Sequence, residues 1–220
     1  MRIVDRFSFA GAEDLLKSEH PDELREVEEA IAAIDGESCY VKVSYERGRG
    51  VLFSPIAFNH CLLHRQLHPN GWISPERNLS ISREFPATGL RRRIRLSVDG
   101  IKNFVGLECQ LGKYSFLEYD VLAKMPIYQG RGLITVGIEI VPCFRLSRDM
   151  SSGVGDFERL VTNLAHRGDR PGDCPVLIIG FDIDLPDTPR PAHVVSFDAS
   201  VPTKLKGNRP GPGKPDREPR

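Results

Sequence analysis

Apolar residues recur at helical spacing in several segments of the chain. One such segment begins at Pro21, continues with acidic residues and ends before Gly36. Its apolar stripe consists of Leu24, Val27, Ile31 and Ile34. Because proline and acidic residues favour the first turn of a helix, this pattern predicts a helix over residues 22–35. The same reasoning predicts further helices over residues 54–67, 115–125 and 156–167.

A different pattern, strict alternation, follows a predicted turn at Asp99 and Gly100. Residues 104–111 alternate between two faces of a predicted strand. The apolar face holds Val105, Leu107, Cys109 and Leu111. Glu108 and Gln110 share the other face, and side chains two positions apart on a strand are separated by roughly 7 Å. We therefore expect these two polar side chains to point the same way.

Two further segments, residues 133–142 and 174–183, are almost continuously apolar, which predicts strands buried on both faces. A predicted helix lies between them, and the order strand, helix, strand predicts a right-handed parallel crossover. The chain is therefore expected to have an α/β fold, with a mixed β-sheet flanked by helices. Residues 72–97 are arginine-rich and have no clean period, so the pattern assigns no element to them.

The length of 220 residues suits one compact domain with an appendage better than two independent cores. The end of the chain is too rich in proline, glycine and charge to pack. We expect a single domain over residues 1–201 and a disordered basic tail over residues 202–220. No apolar run approaches the roughly 18 to 20 residues needed to cross a bilayer, and Asp5 interrupts the N-terminus before any long apolar stretch. A cytoplasmic protein without a membrane partner is expected.

Charge is balanced in number but uneven in distribution. The chain has 30 basic and 30 acidic residues, with acids concentrated at residues 13–35 and bases at residues 83–113 and 203–220. Such segregation is typical of a protein that turns one face to a polyanion. Ordinary solvated charge runs produce the same pattern, so both interpretations remain open.

Cysteine and histidine do not form a recognisable metal site. The five cysteines are odd in number and widely spaced, without a Cys-x-x-Cys pair, which argues against a disulfide framework and a zinc ribbon. His60, His64 and His68 recur every four residues, but Pro69 follows them and no Glu or Cys beyond the adjacent Cys61 completes a site. We interpret them as surface or packing histidines.

Asp99, Glu108 and Gln110 form the candidate reactive group, in the pattern D-x(8)-E-x-Q. A carboxylate at a turn and another on the adjoining strand can converge on a hard divalent cation. Phosphodiester hydrolysis needs what such an ion supplies, namely neutralised phosphate charge and an acidified water. The alternative is that Glu108 and Gln110 are only the polar face of a half-solvated strand, and alternation does not exclude it.

This pattern, followed at once by LGKYSF, resembles the catalytic core of the BglII/BstYI family of type II restriction endonucleases, a branch of the PD-(D/E)xK nuclease superfamily. Blocks in the same order resemble BstYI-type enzymes: MRIV, AIDGESC, LFSPIAFN, MSSGVG and PVLIIG. The resemblance spans residues 1 to about 183, is weak from about 70 to 97 and is absent from the tail.

The resemblance implies a restriction-endonuclease-like fold and a homodimeric, Mg²⁺-dependent enzyme of a restriction–modification system. Such an enzyme cuts both strands of a short palindromic double-stranded DNA site, here with a GATC core, and leaves 5′ phosphates and 5′ overhangs. A cognate DNA methyltransferase acts on the same site but need not bind this protein. Residues 115–125 are expected at the dimer interface, and the acidic helix away from the DNA. The alternative function is a catalytically silent DNA-binding protein on the same scaffold, and a third is a nuclease that cuts structure rather than sequence.

By the same resemblance, Asp99, Glu108 and Gln110 are the catalytic residues, and Mg²⁺ is held by Asp99, Glu108 and the backbone carbonyl of Cys109. Gln110 stands where most of the superfamily has a lysine. A neutral amide cannot accept a proton, so no general base is assigned, and the water would be activated by the metal and a neighbouring phosphate oxygen. Glu84 is a candidate additional acid.

Lys113, Ser151 and Ser152 are the implied DNA-binding residues. Lys113 either donates to guanine O6 and N7 at the outer base pair or contacts a phosphate, and both interpretations remain open. Ser151 and Ser152 match a base-reading loop of the family, with ordinary helix capping as the alternative.

Overall fold

A five-stranded mixed β-sheet forms the centre of the protein, in the order β1-β9-β8-β7-β6. The computed structural model describes residues 1–44 and 50–183, so the expected domain boundary at 201 and the tail at 202–220 lie outside the described residues. The strands of this sheet are β1 (Arg2–Phe9), β6 (Gly100–Lys102), β7 (Val105–Cys109), β8 (Val136–Pro142) and β9 (Val176–Asp182). Strands β7, β8 and β9 are parallel, whereas β1 and β6 pair antiparallel at the edges.

The parallel strands confirm the predicted α/β fold. Every residue of β7, β8 and β9 is buried, as expected for strands covered on both faces. Helix α7 (Phe157–Arg167) connects β8 to β9, which is the predicted crossover. Its N-terminus is capped by Asp156, whose carboxylate accepts a hydrogen bond from the backbone N–H of Arg159 at 2.9 Å.

Helices cover both faces of the sheet. One face is covered by three helices, namely α1 (Ala12–Glu19), α2 (Pro21–Ala32) and α3 (Pro55–Asn59). Helix α3 continues as a π-helical segment (His60–Leu67) and a 3₁₀ turn (His68–Asn70). The other face carries α7 and a continuous helical stretch that follows β7. That stretch comprises a 3₁₀ turn (Tyr114–Phe116), α4 (Leu117–Tyr119), a π-helical segment (Asp120–Lys124) and α5 (Met125–Gln129). All the helices predicted from periodicity are therefore confirmed, and those beginning near residues 54 and 115 run further than predicted.

The arginine-rich segment that the sequence left unassigned contains a β-hairpin. Its strands are β4 (Asn78–Phe85) and β5 (Leu90–Ser97), which pair residue by residue from Asn78 opposite Ser97 to Phe85 opposite Leu90. Most of its residues are exposed, and Arg83 and Arg92 interrupt the apolar residues of one face, so no clean period marks the strands in the sequence. Only its base contributes to the core, mainly through Leu96.

The remaining elements are short. Strands β2 (Lys42–Ser44) and β3 (Gly50–Leu52) form a small two-stranded sheet, and α6 (Phe144–Ser147) follows β8. All five cysteines lie in the described residues, are buried and form no disulfide, as expected. Among the described residues, no helix has the length and apolar character needed to span a membrane.

Candidate functional site

The candidate site lies where the segment after β5 meets the C-terminal end of β7. The backbone N–H of Asp99 donates to the carbonyl of Leu107 at 3.0 Å, and the backbone N–H of Cys109 donates to Oδ2 of Asp99 at 2.9 Å. The next residue, Gly100, packs so closely on Trp72 that a Cβ there would lie 2.8 Å from the Trp72 carbonyl oxygen. Glycine at this position therefore allows the chain to hold Asp99 beside β7.

Glu108 is buried and Asp99 is half-buried. Burial raises the pKa of the Asp99 carboxyl above its ordinary value, although the hydrogen bond from Cys109 works against this shift. Burial and the nearby charge of Asp99 raise the pKa of Glu108 still more clearly. Only 5% of Glu108 is exposed, so Glu108 is not part of a half-solvated polar strand face. Two acids with raised pKa values in each other's field are stabilised in their charged forms when a cation binds between them.

A lysine that the sequence reasoning missed contacts Glu108. Lys124, in the π-helical segment, places Nζ 2.7 Å from Oε1 of Glu108 and 2.6 Å from Oδ1 of Asp120. Burial alone would lower the pKa of Lys124, but the charges and hydrogen bonds of the two carboxylates outweigh it and raise the pKa above its ordinary value. The Lys124 side chain is therefore positively charged in the folded protein.

Gln110 joins the same network through Asp120. Its Nε2 donates to Oδ2 of Asp120 at 2.7 Å, and its Oε1 accepts from the backbone N–H of Gly112 at 2.9 Å. The network runs from Gln110 to Asp120 by a hydrogen bond, from Asp120 to Lys124 by an ion pair, and from Lys124 to Glu108 by a hydrogen bond. The expectation that Glu108 and Gln110 point to a common region agrees with this arrangement, because both reach the Asp120–Lys124 pair.

A further buried acid lies on the neighbouring strand. Glu139 pairs directly with Glu108 in the parallel register of β7 and β8, and it is 0% exposed. Neither of its carboxylate oxygens has a hydrogen-bond partner. Burial and the charges of Asp120 and Glu108 raise its pKa well above the ordinary value. Glu139 could have been noticed in the sequence as a lone acid inside an otherwise apolar strand. Lys124 could have been noticed as the partner of an acid, Asp120, four residues earlier on a helix with apolar positions.

A cavity of about 420 Å³ opens beside this network. Asp99, Cys109 and Gln110 line it from the sheet side, and residues of α3 and its continuation line it from the other, including Asn59. The amide oxygen of Asn59 is buried and has no hydrogen-bond partner. Carbonyl-type oxygens and carboxylates of this kind can receive a hydrated cation or an ordered water.

The predicted histidines border this cavity without forming a metal site. His60 and His64 line it, and the three rings follow each other at centroid distances of 5.5 and 4.9 Å. His68 hydrogen-bonds through Nε2 to the backbone carbonyl of Asp99 at 3.1 Å. Within residues 1–44 and 50–183, no three His, Cys, Asp or Glu side chains are grouped so as to hold a metal. His68 thus supports the backbone at Asp99.

The donor atoms present suit a hard ion such as Mg²⁺ better than a softer ion. Asp99 and Glu108 offer carboxylate oxygens, and Cys109 can offer only its carbonyl oxygen, because burial raises the pKa of its thiol well above the ordinary value. Mg²⁺ is typically bound through one or two carboxylates and keeps several waters, so it does not need a cluster of three acidic side chains. The residues predicted for the metal thus fit the ion.

The three predicted DNA-binding residues lie on two loops that contact each other. Lys113 forms an isolated antiparallel bridge with Val154, and the Tyr114 N–H donates to the Gly153 carbonyl at 2.8 Å. Lys113 is exposed, and Ser151 accepts a hydrogen bond from Lys42. Neither predicted serine caps the following helix, because Asp156 does so.

Glu84 is not brought to the site. It lies opposite Arg91 near the tip of the hairpin and is exposed. Six residues separate it from Asn78 at the base of the hairpin, which on an extended strand is about 20 Å. The expectation of Glu84 as an additional acid is wrong for this structure, because the segment that carries it extends away from the sheet.

Comparisons with known proteins agree with this architecture. The family model described as restriction endonuclease BglII/BglIII matches residues 4–181. A crystal structure of restriction endonuclease BglII complexed with a DNA 16-mer is 19% identical in sequence, with a TM-score of 0.66 over 85% of this chain and 81% of that chain. A crystal structure of free BglII is 17% identical, with a TM-score of 0.54 over 85% and 82% of the two chains. No curated protein gives a significant match.

Proposed function

Because the chain belongs to the restriction endonuclease BglII/BglIII family and is a type II restriction endonuclease, we propose that it hydrolyses both strands of a short palindromic DNA site in the presence of Mg²⁺. The proposed site has a GATC core, and the products carry 5′ phosphates. A 5′ phosphate requires that water attacks phosphorus and that the bond to the 3′ oxygen breaks, so the 3′ oxygen is the leaving group.

The observation that carries this proposal is the acidic pair of buried Glu108 and half-buried Asp99, of which Asp99 lines an open cavity. Asp99 is held by the Cys109 N–H, and Glu108 is held by Lys124 at 2.7 Å. The cavity gives a ligand access to Asp99 from the side of α3. The pair stands at the C-terminal end of a parallel strand, the edge at which ligands of open α/β sheets bind.

The metal would be held by Asp99, Glu108 and the carbonyl of Cys109. When bound, Mg²⁺ would neutralise charge on the scissile phosphate and acidify a water molecule. Lys124 keeps a positive charge beside Glu108, so part of the acidic charge of the site is balanced before the phosphate arrives. A preorganised charge of this kind favours the developing negative charge of the transition state.

Gln110 does not act as the base in this mechanism. Its amide donates to Asp120, and an amide has no basic site at neutral pH. Its proposed role is to orient the Asp120 carboxylate and, through that carboxylate, the Lys124 ammonium. The attacking water loses its proton with the help of a neighbouring phosphate oxygen.

Sequence recognition is assigned to the adjoining loops. Lys113 is exposed immediately after the segment that carries Gln110, and its bridge with Val154 places it beside the loop of Ser151 and Ser152. BglII has been crystallised with a DNA 16-mer, and double-stranded DNA is the proposed partner here. A palindrome is read most simply by a two-fold protein, so a homodimer with residues 115–125 near its interface is proposed.

Residues 1–201 are proposed as one domain, with a basic tail over residues 202–220. A cognate methyltransferase is proposed as the enzyme that protects the site.

Digestion of methylation-free phage DNA with Mg²⁺ tests this function. Discrete fragments are expected, and sequencing of their ends gives the recognised bases and the polarity of the phosphate. A smear would instead indicate a nuclease that cuts structure rather than sequence. Intact DNA that nevertheless binds the protein would favour the catalytically silent alternative. Fragments without a GATC core would contradict the proposed specificity while leaving the enzyme class intact.

A further inference from the structure

The hairpin of β4 and β5 separates its side chains into two faces. On one face, which we call the arginine face, Arg91, Arg93 and Arg95 alternate along β5. They stand opposite Glu84, Ser82 and Ser80 on β4. The other face carries apolar residues together with Arg83 and Arg92. Strand geometry therefore gathers three guanidinium groups on one side of a two-stranded element.

The arginine face is not neutralised within the part of the protein that the structure describes. Arg91, Arg93 and Arg95 are exposed, and none forms an ion pair with an acid in residues 1–44 and 50–183. The hydrogen bond that Arg93 makes is to the neutral hydroxyl of Ser80, at 2.5 Å. By contrast, Arg25 on α2 pairs with Asp22 at 2.8 Å. A positive face of this kind attracts a polyanion.

The base of the hairpin is fixed to the core, so the arginine face has a defined position. Leu96 is buried, and Leu79 and Ile81 pack against the same cluster. Tyr128 of α5 donates its hydroxyl to the carbonyl of Arg77 at 2.5 Å, just before β4. The Val98 N–H donates to that same carbonyl at 3.0 Å, just after β5. Both ends of the hairpin thus lie next to the segment that carries Asp99.

We propose that the arginine face binds phosphates of the DNA duplex outside the recognised palindrome. The inference rests on the proposed function and adds to it a contact surface. Arg95 and Arg91 lie four and eight residues before Asp99, which on an extended strand is about 13 and 26 Å. A duplex rises 3.4 Å per base pair, so the hairpin reaches phosphates up to about eight base pairs from the scissile bond.

The spacing on the hairpin allows separate phosphate contacts. Alternate residues on a strand are about 6.6 Å apart, so the three guanidinium groups span about 13 Å and need not share a phosphate. Arginine binds phosphate through a planar pair of N–H donors. Such contacts carry no sequence information but release counterions, which makes binding depend on salt.

The salt dependence of binding tests the proposal with a matched pair of variants. Arg93→Gln/Arg95→Gln removes two charges from the arginine face, and Arg83→Gln/Arg92→Gln removes two charges from the opposite face of the same hairpin. Both are made in the full chain. A labelled duplex with a central GATC palindrome is titrated in Ca²⁺ by fluorescence anisotropy, over about 50 to 200 mM KCl.

Each lost phosphate contact lowers the slope of log K against log salt by about 0.9, so the arginine-face variant is expected to lose about 1.8 per subunit, or about 3.6 for the proposed dimer. The opposite-face variant is expected to change it by less than about half that amount. Because neither Arg93 nor Arg95 lies at the scissile phosphate, kcat at saturating DNA stays at the wild-type value while KM rises. Equal melting temperatures show that both variants keep the fold.

An unchanged slope in the arginine-face variant overturns the inference, as does an equal loss in both variants. A dimer that dissociates more readily, with an unchanged slope, would assign the hairpin to the partner subunit instead and also overturns it. In each of these outcomes the wild-type protein still cuts DNA, so the proposed function stands. If the wild-type protein neither cuts nor binds the duplex, the proposed function fails and the inference fails with it.

Discussion

Lys124 places its ammonium nitrogen 2.7 Å from Oε1 of Glu108, although the two residues belong to different elements. Glu108 lies on β7, and Lys124 comes from the helical stretch that packs over the same sheet face. Gln110, two residues after Glu108, reaches this lysine only through Asp120. A cation is therefore supplied to the buried acid by the following helix rather than by the strand itself.

Removing this cation is expected to reduce both stability and activity. Lys124→Met leaves Glu108 and Asp120 buried without their partner, and breaking a buried ion pair in this way costs about 3 to 5 kcal/mol. Loss of a preorganised charge at the site lowers kcat about 100-fold or more. Urea unfolding and single-turnover cleavage measure the two effects, and Lys124→Arg is expected to recover part of each.

Lys102→Met is the matched control. Lys102 pairs with Glu26 at 2.6 Å, but the two side chains keep 22% and 25% of their exposure and lie outside the site. Because a more exposed pair is worth about 1 kcal/mol or less, stability changes little and cleavage stays at the wild-type rate. Equal losses of kcat in both lysine variants would mean that Lys124 acts through folding alone.

Asp99→Ala is expected to abolish cleavage and to leave specific binding to DNA in Ca²⁺ measurable. The carboxylate that accepts the Cys109 N–H is lost, and with it a proposed ligand of Mg²⁺. Gel-based cleavage and anisotropy give the two readouts. Glu84→Ala, near the exposed tip of the hairpin, should cut DNA normally. Cleavage by Asp99→Ala at the wild-type rate would refute the assignment of Asp99.

A divalent cation should stabilise the folded protein without any DNA. An ion that binds only the folded state adds about 2.7 kcal/mol at a concentration 100 times its Kd. We therefore expect the melting temperature to rise with Mg²⁺ or Ca²⁺ and to stay constant in Asp99→Asn. KCl at matched ionic strength serves as the reference. A rise of the same size in Asp99→Asn would place the bound ion elsewhere.

Glu139→Gln is expected to stabilise the metal-free protein at neutral pH. Burial raises the pKa of Glu139 in the folded state, where it faces Glu108, Asp120, Lys124 and Asp99. The folded state then holds a proton that the unfolded state releases, so stability falls as pH rises above the ordinary carboxyl pKa. The slope reaches at most about 1.4 kcal/mol per pH unit for one group.

Unfolding measured from about pH 5 to 8 checks this sign, since that range lies above the ordinary carboxyl pKa. The wild-type protein should lose stability towards the alkaline end, and Glu139→Gln should lose less. Glu108 and Asp99 keep their own contributions, so the variant flattens the profile without removing it. A profile identical to that of the wild type would show that Glu139 is ionised in the folded state.

Apolar periodicity was sufficient to predict the elements that build the core. Strands β8 and β9 are buried along their whole length, so their sequences are almost continuously apolar, interrupted by Glu139 and by Asp182 at the end of β9. The hairpin was not predicted, because Arg83 and Arg92 interrupt its apolar face and leave arginine at consecutive positions in the sequence. Strand β1 also escaped assignment, since only its last residue, Phe9, is buried.

The site was predictable only where its residues follow one another closely in the chain. Asp99 precedes β6, Glu108 lies on β7 and Gln110 follows β7, so the pattern of residues could point to all three. Lys124 and Glu139 come from other elements, and their proximity depends on the helix packing over β7 and on the register of β7 with β8. No local pattern contains that information, although a charged residue in an apolar element indicates that it must have a buried role.

The contact between the loop of Ser151 and the segment after β7 would couple the proposed recognition of DNA to the proposed chemistry. The Gly155 N–H donates to the Gly112 carbonyl at 3.3 Å, and the Gly112 N–H donates to Gln110. From Gln110 the connections run through Asp120 to Lys124. A base pair that displaces the loop would therefore strain the same set of bonds that aligns the acids. Discrimination against a wrong sequence can thus act on the rate of cutting as well as on the lifetime of the complex.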